Sequence, residues 1–263
     1  MALVMRLLNR LERASFPNPG RKLFFLHVPK CGGSSIEQAF RHVYSSRFRA
    51  ELAVRASRDS AELIGLDWFR QCESLQAYFM SHKGMRLIAG HFFWSEKCYH
   101  AFKNEWTYVT LLREPTGRWL SNYFYDRFKT HSDFNKLSGD LPAFLETDRA
   151  RDMGCNLATF LSGIPGGTSE AVQHAKANLK RFDIVGFLND LPRFQRKLEH
   201  VLQCRVPIPH KNKSPRNDLL DRARNDPSLM ARIAELCAPD QDVYQSALAH
   251  PGGKIASSER GEP

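Results

Sequence analysis

The chain has no long apolar run, no clustered cysteines and no internal repeat, and it is short of acidic side chains. Each absence excludes something. The stretch MALVMRLLNRLERASF is broken by Arg6, Arg10 and Arg13, so it reads neither as a signal peptide nor as a membrane span. The six cysteines, Cys31, Cys72, Cys98, Cys155, Cys204 and Cys237, stand far apart. That leaves no CxxC pair and no zinc signature, and a chain of 263 residues needs no disulfide frame. The expectation is a cytoplasmic protein with reduced thiols. There are 28 acidic residues against 38 Lys and Arg, a formal net charge of +10. Such a surplus favours anionic partners and says nothing about fold. The basic residues are scattered and no DNA- or RNA-binding motif accompanies them, so nucleic acid is not the expected partner.

At 42% hydrophobic and 25% charged, the composition can fill a sizeable core. Four short apolar runs read as buried strands: 23–28, 87–89, 108–112 and 184–187. Helical spacing follows three of them, at Ile36, Phe40 and Val43, at Trp119, Leu120, Tyr123 and Phe124, and at Leu191, Phe194 and Leu198. Strands alternating with helices predict an α/β fold with a central parallel sheet flanked by helices. Residues 46–83 read as helical, 129–143 as a polar surface excursion or lid, and 164–170 and 205–217 as loops. No domain boundary is visible, so residues 1–263 are read as one domain. Residues 1–20 form its N-terminal helix or arm and 251–263 a frayed tail. Leu3, Leu7, Leu8 and Leu11 share a helix face opposite the three arginines. That face suits packing as a cap on the core or peripheral contact with a membrane surface. Nothing in the sequence speaks to oligomeric state.

Three segments carry chemistry. HVPKCGGSS, residues 27–35, follows the first strand and opens a helix. A helix start offers free N–H groups and the positive end of its dipole, which suits an anion. Gly32 and Gly33 allow close approach and positive φ. Ser34 and Ser35 can cap the helix or donate hydroxyls, and Lys30 adds a mobile charge. A plain strand–helix turn with capping serines fits the same residues. The loop is not GxxxxGK[ST], because its lysine precedes the glycines, and no acidic strand end suited to magnesium follows. In LLREPTGRWLS, Arg113 ends a strand and Ser121 lies eight residues on. A helix starting near Pro115 would bring both to one phosphate, the arginine through bidentate hydrogen bonds. In GHFFW, His91 follows a strand and a glycine at the same expected edge, and an imidazole titrating near neutrality suits a general base.

Together these segments resemble the sulfotransferase superfamily that uses 3'-phosphoadenosine-5'-phosphosulfate (PAPS), a P-loop-like three-layer fold. HVPKCGGSS is similar to its 5'-phosphosulfate loop, and LLREPTGRWLS to its 3'-phosphate element with the same interval of eight. GHFFW resembles the Gly-His segment of the carbohydrate branch, which includes the heparan and dermatan uronyl 2-O-sulfotransferases. The resemblance implies that Lys30, Cys31, Gly32, Gly33, Ser34 and Ser35 hold the 5'-phosphosulfate and that Arg113 and Ser121 hold the 3'-phosphate. It also implies that His91 is the catalytic base, that Lys30 stabilises the departing charge, and that no metal is required. A threonine is commonest where Cys31 stands. No luminal stem or membrane anchor is visible, which points to a soluble, bacterial-type member. Lys211, Lys213 and Arg216 either close over the nucleotide or form a solvated basic loop. The acceptor expected is a carbohydrate or glycolipid hydroxyl, contacted from segments near 46–83 and 129–150 that name no residues by themselves. The alternatives are a P-loop kinase-like phosphotransferase and a non-catalytic basic polyanion binder.

Overall fold

Residues 22–26, KLFFL, carry apolar side chains on both faces and therefore belong in the middle of a sheet covered on both sides. In the computed structural model, which describes residues 16–130, 132–209 and 218–249, they do. Five parallel strands run in the order β2-β3-β1-β4-β5. They are β1 Lys22–Leu26, β2 Arg49–Glu51, β3 Leu87–Gly90, β4 Trp106–Leu112 and β5 Ile184–Phe187. The arm up to residue 15, the tail from residue 251, and Lys211, Lys213 and Arg216 lie outside the described residues.

Alternation along β1 divides the core. Phe24 and Leu26 face one layer with Ile88, Tyr108 and Leu112; Leu23 and Phe25 face the other with Leu87, Ala89, Val109 and Leu111. The second layer is covered by α1 Gly33–Val43, through Ile36, Ala39, Phe40 and Val43, and later by helix Leu191–Leu202. These are the helical spacings the sequence predicted. After β2 come α2 Val54–Leu63 and α3 Trp68–Ser81, then β3, α4 Glu96–Phe102, β4 and α5 Pro115–Phe128. Next are α6 Leu141–Leu145, α7 Asp148–Gly154, α8 Asn156–Ser162 and α9 Ser169–Leu179. After β5 come α10 Leu191–Leu202, α11 Asp218–Arg224, α12 Pro227–Leu236 and α13 Ala238–Ala249. Helices α5, α6, α7, α11 and α12 pack a further apolar cluster around Trp119, Tyr123 and Phe144 beside the sheet.

Several boundaries differ from the sequence expectation, β4 starting at Trp106 rather than at residue 108 among them. Residues 46–83 are not wholly helical, because Arg49–Glu51 pairs with β3 as an edge strand. The first strand stops at Leu26, where its pairing with Gly90 and Thr110 ends, rather than at Val28. A buried charge pair ties the middle of the chain to its last described helix. Arg118 of α5 lies 3.6 Å from Asp240 of α13, both without solvent exposure. Arg118 also donates to the Met153 carbonyl, and Asp240 accepts from the Ala158 amide at 2.9 Å.

Candidate functional site

The register brings the three motif segments to one edge. Leu26 pairs with Gly90 on one side and Thr110 on the other, so His27, His91 and Arg113 all emerge at the C-terminal ends of neighbouring strands. Ligands bind at that edge in parallel α/β sheets. A cleft of about 320 Å³ lined by Arg21, Thr107, Asp183, His200, Val201 and Gln203 opens at the opposite ends of the strands, away from these groups.

The loop 27–33 is built tightly. Gly32 takes φ 83°, and a Cβ there would meet the Leu188 side chain at 2.6 Å. Gly33 differs from the expectation, since its φ is not positive and Lys30 takes the second left-handed position at φ 66°. What Gly33 permits is contact with His27, whose ring would lie 2.1 Å from an added Cβ. Helix α1 starts at Gly33 without a side-chain cap. Ser34 is exposed and Ser35 half-buried, and neither hydroxyl caps the helix as the sequence allowed. The Cys31 thiol is fully buried in the core, which pushes it up to about 12. Cys31 can therefore meet a ligand only through its backbone.

Lys30 and Arg113 meet at this loop. The Arg113 guanidinium donates from Nη1 to the Lys30 carbonyl at 3.3 Å. The Lys30 ammonium rests 3.5 Å from the centre of the Tyr125 ring. Burial pulls its pKa down to about 8, Asp126 opposes this, and Arg113 and Lys129 add to it. Burial likewise lowers Arg113. Helix α5 starts at Pro115, as expected, so Ser121 stands in its second turn. Tyr125 is one turn further on the same face. The start of α5 is closed by its own residue: Thr116 and Gly117 amides donate to the Glu114 carboxylate at 2.8 and 2.6 Å.

His91 is oriented from behind. Its Nδ1 lies 2.6 Å from the His27 carbonyl, which can only accept. Nδ1 therefore carries the hydrogen and Nε2 the lone pair. Burial, then the neighbouring His27, push its pKa down to about 3. The ring is neutral through the physiological range rather than titrating near neutrality. The two imidazoles lie 4.2 Å apart, and His27 Nδ1 is 2.8 Å from Glu37 Oε1 on α1.

A sequence model of the Sulfotransferase family matches residues 13–149, just over half of the chain. The chain belongs to the sulfotransferase family. All three motif segments of this sulfotransferase-family chain fall inside the matched stretch. Among solved structures it is similar to mouse sulfotransferase SULT7A1 complexed with PAP, at 17% identity and a TM-score of 0.40. The match covers 82% of this chain and 63% of that one, so the chain spans less than two thirds of that structure. No curated protein matches.

Sequence reasoning missed Glu37, Tyr125 and Asp126. Asp126 is buried and holds the segment after α5, accepting from Asn122 at 2.9 Å, Lys129 at 2.7 Å and Arg149 at 3.3 Å. The usable signal was positional for Tyr125, which lies four residues after Ser121, and for Asp126, which lies three before Lys129.

Proposed function

We propose that the chain transfers a sulfuryl group from PAPS to a hydroxyl of a carbohydrate or glycolipid, with His91 as base and no metal. One observation supports the reading most: Arg113 is hydrogen-bonded to the Lys30 carbonyl, which joins the two segments proposed to hold the donor. A donor with a phosphosulfate at one end and a second phosphate nearby fits the uncapped start of α1, Lys30 and Arg113. When bound, PAPS supplies the sulfuryl group and leaves as the 3',5'-bisphosphate, PAP.

The protein's part is positioning and charge. Lys30 and the amides at the start of α1 stabilise negative charge on the departing phosphate, and such preorganised donors need no reorganisation during reaction. Arg113 and Ser121 select the 3'-phosphate and hold the donor in register. His91 receives the acceptor proton at Nε2, while Nδ1–H to the His27 carbonyl fixes the ring. A base this weak takes the proton only as the hydroxyl acidifies during attack. Glu37, behind His27, offsets the positive charge the ring then bears.

Incubation with PAPS and a panel of glycans, glycolipids and small alcohols, followed by mass spectrometry, tests the activity. Calorimetry with PAP in EDTA tests the metal. Sulfated product and metal-free PAP binding are expected; binding of Mg·ATP but not PAP would reject the reading.

A further inference from the structure

Two imidazoles meet beside the start of α1, and only one of them has a carboxylate. His27 is 5% exposed, and its Nδ1 lies 2.8 Å from Glu37 Oε1, one turn along α1 from Gly33. The ring stacks on Phe25 at 5.7 Å and stands 4.2 Å from the His91 ring. Its backbone is fixed as well: the His27 amide donates to the Gly90 carbonyl at 2.9 Å, and the His27 carbonyl accepts from His91. The ring edge formed by Nε2 and Cδ2 faces Gly33, where an added Cβ would lie 2.1 Å from both atoms. Gly33 opens α1, which has no side-chain cap. Among the described residues Nε2 makes no hydrogen bond, whereas Nδ1 is taken by Glu37.

Charge decides which ring holds a proton. An ionised carboxylate only accepts, so Glu37 fixes a hydrogen on His27 Nδ1, and a carboxylate at that distance favours an imidazolium over a neutral ring. His91 has no such partner: its Nδ1 donates to a carbonyl, and burial and the neighbouring His27 hold it neutral. Lys30, three residues along the loop from His27, adds a further positive charge on the same side. Two charged rings 4.2 Å apart repel, so the pair carries a single charge, on the ring that Glu37 holds. Two titratable groups driven apart by their surroundings divide into one that keeps its proton and one that can take one.

We propose that His27, charged and held by Glu37, is a second catalytic residue whose Nε2–H donates to the 5'-phosphate end of the donor at the start of α1. The inference rests on the sulfotransferase reading. In the transfer, the acceptor oxygen bonds to sulfur as the bond from sulfur to the bridging oxygen breaks, and that electron pair goes to the 5'-phosphate. His91 takes the acceptor proton. His27 keeps its own proton and hydrogen-bonds the oxygen that gains charge. The second imidazolium therefore forms as the charge on the first is met by the leaving phosphate.

The test reads charge state and affinity separately, on the full chain. Nitrogen-15 NMR of histidine-labelled protein near neutral pH, with signals assigned through His27→Gln and His91→Asn, should show hydrogen on both His27 nitrogens and on Nδ1 alone of His91. Added PAP should shift the His27 Nε2 signal. Calorimetry then compares PAP with adenosine 3'-phosphate, which lacks the 5'-phosphate. Glu37→Gln should leave His27 neutral and weaken PAP about tenfold or more, as expected for a lost charge-assisted hydrogen bond, with adenosine 3'-phosphate unchanged. His27→Gln should show the same selectivity. A His27 ring that stays neutral in the wild type with PAP bound overturns the proposal, and that measurement needs no variant to fold. So does an unchanged PAP affinity in Glu37→Gln. Equal weakening of both nucleotides with a lower melting temperature also overturns it, marking His27 and Glu37 as an anchor for α1 alone. A wild type that binds no PAP rejects the donor reading itself, and the inference with it.

Discussion

Two strand-to-helix junctions lie side by side at the working edge of the sheet, and they treat the start of a helix in opposite ways. Between β1 and α1 the helix opens on glycine with no side-chain cap. Between β4 and α5, Glu114 places its own carboxylate on the Thr116 and Gly117 amides, with Pro115 at the first turn. One junction has no side-chain acceptor at its first amides; the other supplies one from Glu114. Helix dipoles alone do not define the site, since both junctions have one. The difference is whether the chain supplies its own anion.

The largest effect is expected at His91, which leans on the open junction through the His27 carbonyl. His91→Ala should lower kcat by roughly 10²–10⁴-fold with PAP affinity nearly unchanged. With its pKa down to about 3, His91 should give the wild type no rate inflection near pH 6.5. The unfolded chain binds the extra proton between those values, so stability falls as pH drops from 6.5 towards 3, and His91→Asn should flatten that slope. A stable His91→Ala protein with near-normal turnover removes the residue from the mechanism.

Next comes the division of labour between the junctions. Arg113→Ala should weaken PAP by about 1.5–3 kcal/mol and scarcely touch a 5'-nucleotide lacking the 3'-phosphate, while Lys30→Ala should weaken both. Equal losses for both ligands in Arg113→Ala would sink the assignment. The paired glycines give a smaller contrast, read by thermal or denaturant unfolding. Gly33→Ala drives a methyl into the His27 ring and should cost about 1–3 kcal/mol. Gly117→Ala meets the Glu114 carboxylate at 3.1 Å and the Arg113 guanidinium at 3.8 Å, contacts of side-chain ends rather than backbone, and gains helix propensity, so its net change should stay within about 0.5 kcal/mol. Glu114→Ala should cost about 1 kcal/mol as a lost helix cap, more than the Gly117 change. If that variant gains more stability from added phosphate than the wild type does, the second junction has been converted to the character of the first.

The sequence carried the sheet wherever strands were apolar on both faces, as in β1, β4 and β5. It hid β2, because Arg49–Glu51 buries only Ala50 and contributes mainly backbone hydrogen bonds at an edge, leaving no side-chain signature. The placement of Lys30, Arg113 and His91 at one sheet edge was legible because each ends a strand or follows one in a recognisable interval. The roles of the two glycines were not, since the contact that demands Gly33 comes from His27 across the turn. Nor was Glu37, whose partner lies ten residues back on a different element.

The Arg118–Asp240 pair has a consequence for how the protein is made. During synthesis Arg118 leaves the ribosome well before Asp240 exists, and chains fold from the N-terminal side as they emerge. Until α13 is complete, docking α5 would bury a guanidinium without the carboxylate that pairs with it, and a broken buried pair of this kind costs about 3–5 kcal/mol. Full seating of the helix that bears Ser121 is therefore coupled to the docking of α13, far along the chain.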